Sequence, residues 1–168
     1  GRALGYTMVM PEDDKYSTTR HELLDQMAYA MGGRAAEELI FHDPSTGASN
    51  DIQKATDTAR KMVTEYGMSS KIGSVRLTAQ ESDPFLGGGG GQSNNYSDAL
   101  AFTVDQEVAE LLSQAHDEAY EILRDNRDVL DRLSFALLEK ETLLENELKE
   151  IFADVRKRPE RAYWYSKE

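Results

Sequence analysis

The chain has 168 residues, 39% hydrophobic and 30% charged. That is apolar enough for one compact domain and too apolar for disorder throughout. Its formal net charge of −12 repels phosphate backbones and disfavours nucleic acid as a partner. It has no cysteine, which excludes disulfides and thiolate metal sites, and no apolar run approaches the roughly 18 residues needed to cross a bilayer.

In chain order, Leu4–Met10 reads as a short strand, with Tyr6, Met8 and Met10 alternating against Thr7 and Val9 until Pro11 ends the run. Gly1 opens the chain inside this pattern and without a methionine, so a fragment is expected. Thr19 and Glu22 have capping-box spacing. Leu23, Leu24, Met27, Ala28 and Met31 continue at helical spacing. Gly32-Gly33 then interrupts or bends the helix, which resumes from Arg34 to Phe41.

After a loop holding Pro44 and Gly47, Ser49 or Asn50 is expected to cap a second helix. Its apolar face is Ile52, Ala55, Ala59, Met62, Val63 and Tyr66, and Gly67 stops it. Ser74–Leu77 is a candidate second strand. Residues 78–96, with five consecutive glycines from Gly87 to Gly91, read as a flexible loop. The run lacks the Lys-Ser/Thr of a phosphate loop.

Three helical stripes follow: Val104 to Leu123, Val129 to Leu137 after a break at Asn126, and Leu144 to Val155 before Pro159. Antiparallel packing of the three is the expectation. The fold class expected is mainly α, a helical bundle with a short edge β element near the N-terminus. The expected divisions are residues 1–77, 78–96 and 97–168. The basic cluster Arg156, Lys157, Arg158 and Arg161 is expected to complement a helix C-terminus. The aromatic tail Tyr163-Trp164-Tyr165 either packs back on the helices or is covered by further chain.

The residues alone leave the chemistry open. Asp51 falls in the first turn of a helix, where a carboxylate commonly serves only to complement the dipole. Glu37 and Glu38 read as ordinary helical acids, with Arg34 and Glu38 spaced as an i,i+4 pair. One of the two acids is a candidate to be drawn inward. His21, His42 and His116 include no helical His pair. A catalytic zinc needs three protein ligands and an open position, and spacing supplies no such set here.

Several stretches together resemble the peptidase region of the FtsH family. These are Gly1-Arg2-Ala3-Leu4-Gly5-Tyr6-Thr7, Met31-Gly32-Gly33-Arg34-Ala35-Ala36-Glu37-Glu38, Thr46-Gly47-Ala48-Ser49-Asn50-Asp51-Ile52, Tyr66-Gly67-Met68-Ser69 and Leu137-Leu138-Glu139-Lys140-Glu141-Thr142-Leu143. The resemblance implies a zinc metalloendopeptidase with a His-Glu-x-x-His helix, whose glutamate activates zinc-bound water. That motif is absent from these residues and is expected shortly before Gly1, so the 168 residues alone hold no catalytic residue and are expected to be inactive.

The resemblance further implies that Asp51 is the distant zinc ligand and that Glu37 orients a ligating histidine. Gly5, Tyr6, Thr7 and Met8 would pair with an extended substrate peptide. The parent would carry ATP and magnesium in an ATPase module outside this chain. It would assemble as a homo-hexamer at the cytoplasmic face of the cell membrane, anchored by a segment absent here, and degrade unfolded polypeptides. The alternative is a non-catalytic helical oligomerisation module or a degenerate homologue.

Overall fold

A computed structural model describes residues 17–77, 79–80, 93–94 and 96–164. The described residues are mainly α: α1 (Arg20–Phe41), α2 (Ser49–Thr64), α3 (Asp98–Asp125), α4 (Arg127–Lys140) and α5 (Glu145–Phe152). The expected edge strand, with Gly5, Tyr6, Thr7 and Met8, lies outside them. The sheet content described is a two-residue antiparallel ladder of β1 (Ala79–Gln80) and β2 (Ser93–Asn94), in register Ala79 with Asn94. Ser74–Leu77 is not a strand. Pairing begins beyond it, at the base of the glycine-rich segment.

Each helix begins and ends for a local reason. The Thr19 side chain accepts from the Glu22 N–H at 3.1 Å, satisfying one of the orphan donors at the start of α1. The helix runs unbroken through Gly32-Gly33. Glycine permits a bend without forcing one, and the flanking Met31 and Ala35 are both buried. At the far end His42 takes a left-handed φ of 56° and returns its N–H to the Glu38 carbonyl.

Ser45 caps a 3-10 turn over Thr46–Ala48 by accepting from the Gly47 N–H. That turn leads directly into α2. Neither Ser49 nor Asn50 therefore acts as the cap; both are already helical, and the N-cap is Ala48. Gly67, at φ 62°, closes the other end. It lets the Met68 N–H turn back to the Met62 carbonyl at 2.9 Å, satisfying one of the orphan carbonyls at the helix end.

The core lies between α1, α2 and α3. Leu23, Leu24, Met27, Met31 and Ala35 of α1 meet Ala55, Ala59, Met62 and Val63 of α2, together with Val104, Val108, Leu111, Ala115 and Ala119 of α3. The most extensive contact is α1 with α3. This differs from the expected three-helix packing of α3, α4 and α5. The stripe of α3 is already occupied by α1 and α2, so α4 and α5 touch mainly each other. In these two helices Val129 is the one buried residue, while Leu138 is 81% and Phe135 69% exposed.

Asn126 is the buried joint between α3 and α4. Its amide donates to the Ile122 and Arg156 carbonyls and its oxygen accepts from the Arg156 N–H. Arg156 also donates to the Asp125 carbonyl at 2.9 Å, so this one member of the basic cluster serves the end of a helix, whereas Arg158 and Arg161 pair with acids within the helices. Trp164 packs back, lying under the Arg20 guanidinium at 5.4 Å. Tyr163 points outward, and Tyr165 lies outside the described residues.

Candidate functional site

An open cleft of about 1240 Å³ lies between α1, α2 and α3. Its α1 wall includes Asp25, Tyr29, Gly32 and Gly33; its α2 wall includes Asp51, Lys54 and Thr58; and its α3 wall includes Glu118 and Ile122. Asp51 lies in the first turn of α2 and is solvent-exposed at the cleft. No hydrogen bond or ion pair of the described residues engages its carboxylate. Hence the acid that the resemblance singled out has no partner among the described residues and lines this cleft.

Glu37 and Glu38, adjacent in sequence, do different things. The Glu37 carboxylate accepts from the Ser45 N–H at 2.7 Å. Hydrogen bonding from Ser45 holds its carboxyl below the usual carboxylate range, with Arg34 adding a smaller pull. Glu37 thus fastens the end of α1 to the loop that delivers Asp51. Glu38 is the acid turned toward another helix. It pairs with His116 of α3 at 2.6 Å and accepts from Arg34 Nε at 3.0 Å. His116 also stacks on Tyr120. Two partners that far apart in the chain, a separation of 78 residues, leave no periodic trace in the sequence. His21 supplies a backbone carbonyl to Arg161. His42 forms the left-handed end of α1.

The Glu38 pair gives a pH prediction. Burial raises the Glu38 carboxyl, but hydrogen bonds from His116 and Arg34 outweigh it and leave it below its ordinary value of 4.5. A carboxyl depressed in the folded state contributes stability that is complete above the unfolded value and is lost as acid takes it through the folded one. Thermal unfolding of Glu38→Gln against the parent chain should therefore show a gap at neutral pH. The gap should close as pH falls below 4.5; a constant gap would remove the carboxylate's charge from the α1–α3 contact.

Among the described residues no group of three or more His, Cys, Asp or Glu side chains is placed to hold a metal ion. Asp51 fits a zinc site as one hard oxygen ligand facing open space.

The described residues thus form a mainly helical domain with an unengaged carboxylate on a broad cleft, and the sequence comparisons give the class of the chain. The chain matches Peptidase family M41 over residues 1–151 and belongs to that family. It is 60% identical over 161 residues to the ATP-dependent zinc metalloprotease FtsH of Cutibacterium acnes, covering 96% of this chain and 22% of that protein. To the protein of the same description in Mycobacterium tuberculosis (strain ATCC 25618 / H37Rv) it is 54% identical over 159 residues, covering 95% and 21%. To ATP-dependent zinc metalloprotease FtsH 1 of a Thermoanaerobacter species it is 44% identical over 152 residues, covering 90% and 25%. The chain therefore spans a quarter or less of the length of these relatives. Among the described residues no helix is long and apolar enough to cross a membrane.

Proposed function

We propose that the chain is the aspartate-bearing part of a zinc endopeptidase centre, with Asp51 as one zinc ligand and two histidines supplied by sequence outside these 168 residues. The observation that carries this reading is the cleft itself, with Asp51 on one wall and Gly32-Gly33 on another. A Cβ added to either glycine would meet no atom within 4 Å, so nothing in the described fold requires glycine there. Mid-helix glycine costs about 0.5–1 kcal/mol relative to alanine. Its smallness is useful on the cleft side, where it leaves room for a helix to approach α1 closely.

When bound, zinc would polarise a peptide carbonyl and lower the pKa of a ligated water. In this arrangement Asp51 presents a carboxylate from the start of α2. Glu37 anchors the Ser45 loop ahead of it and stands as the residue that would orient a ligating histidine. Gly5, Tyr6, Thr7 and Met8 would pair through their backbone with an extended peptide. The exposed apolar residues Phe135 and Leu138 on α4 and Leu144 just before α5 support burial in an assembly, here a homo-hexamer. ATP and magnesium, the membrane anchor at the cytoplasmic face, and unfolded polypeptide as substrate belong to the parent protein in this reading.

The test uses the parent protein, with its sequence preceding Gly1. It should bind about one zinc per chain and cleave casein, and the 168-residue chain alone should do neither. Gly33→Leu should strongly reduce zinc loading in the parent while slightly raising the melting temperature of the short chain. Full zinc loading and casein cleavage by the Gly33→Leu parent would show that the cleft does not receive the histidine-bearing element. An altered His-Glu-x-x-His sequence would instead make this a degenerate homologue.

A further inference from the structure

We propose that residues 153–164 form an electrostatic latch along one wall of the cleft, closed by Arg161 and opened by competing charge. After α5 the chain turns back and runs antiparallel to α3. Arg156 grips Asp128 through both terminal nitrogens, at 2.9 and 3.0 Å. Arg158 meets Glu121 at 2.7 Å, and Arg161 meets Glu118 at 2.6 Å. As the tail number rises the partner's number falls, from Asp128 at the start of α4 to Glu121 and Glu118 of α3, and every step is an arginine on an acid.

Arg161 does more than extend this row. It also pairs with Asp25 of α1 at 2.7 Å and donates to the His21 carbonyl. One guanidinium thus ties α1 to α3 where Asp25, Glu118 and Arg161 line the cleft. Beyond it, Trp164 lies beneath Arg20.

Two properties make this a latch rather than a permanent seam. Its side-chain grip on α3 and the start of α4 is mainly ionic, and the arginines are a quarter to more than half exposed; such pairs are individually weak and sensitive to salt. The latch also holds opposing charge in reserve. Arg20 lies close enough to Arg161 that like-charge repulsion adds to burial in lowering its basicity. Glu118 and Asp25 offset that repulsion, so weakening them favours release. Met62 and Val104 are fully buried between α1, α2 and α3, in a core cluster that contains no residue of the tail.

The proposal does not depend on what fills the cleft, and its test needs no zinc. Trp164 is the single tryptophan of the chain, so its fluorescence reports the tail directly. Raising sodium chloride to roughly 1 M, where the screening length is about 3 Å, should shift Trp164 emission to longer wavelength and increase its quenching by acrylamide. Helical circular dichroism should stay constant. Arg161→Glu should give the same signature at low salt and speed amide exchange in the Leu23–Met27 turns by about tenfold. Adding Glu118→Arg to Arg161→Glu should restore part of both signals, which a purely steric role would not allow. The proposal is overturned if Trp164 emission and quenching are the same at low and high salt. It is equally overturned if the double charge reversal recovers nothing.

Discussion

Replacing Asp51 by alanine in the parent protein should reduce zinc affinity and casein cleavage by at least about 100-fold, because losing even a residue that only supports a ligand costs 10–100-fold. The fold should barely notice. Asp51 is exposed and engages no described partner, so its stabilising role is confined to the dipole at the start of α2, worth about 0.3–1 kcal/mol. The two effects therefore separate. Metal content and peptide cleavage, measured on the parent, should collapse, while the melting temperature of the 168-residue chain moves by only a few degrees at most. Asp51→Asn keeps the shape and removes the charge, and should fall close to alanine in cleavage. Retained zinc and full activity in both variants would take Asp51 out of the reaction.

The largest effect on stability should come from the opposite kind of residue. Met62 is 0% exposed, and faces the core shared by α1, α2 and α3. Met62→Ala removes buried apolar volume that small neighbours such as Ala55 and Ala59 cannot refill, and truncations of this type cost about 2–5 kcal/mol. For a chain of this size that corresponds to a fall in melting temperature of roughly 4–20 °C, or a clear drop in the urea midpoint. Phe135→Ala is the control: at 69% exposure on α4 it should change the stability of the isolated chain by less than about 0.5 kcal/mol. Equal losses in the two variants would place the core elsewhere.

Where local chemistry decides, the sequence was a good guide. Thr19 caps α1, Gly67 closes α2, and Asn126 breaks α3 from α4 through bonds made largely to near neighbours. The misreadings arose where tertiary contacts decide. The glycine pair at 32 and 33 suggested an interruption or a bend, and α1 continues through it as one helix with buried residues on either side. The stripes of α4 and α5 suggested a partner in α3, but α3 had been taken by α1 and α2.

The site divides in the same way. Composition and spacing gave Asp51 no more than a helix-dipole role, and the similarity of Thr46–Ile52 to a known peptidase family singled it out. That Glu38 rather than Glu37 meets His116, and that Arg161 reaches Asp25, depends on helices brought together by folding. No motif records such pairings.

The bond from Glu37 to the Ser45 main chain has a mechanical consequence. It short-circuits the connection between α1 and α2, so the first turn of α2 is tethered to α1 by more than a free loop. A push on α1, from any element seated against its glycines, is passed to Asp51 as displacement instead of being absorbed by slack.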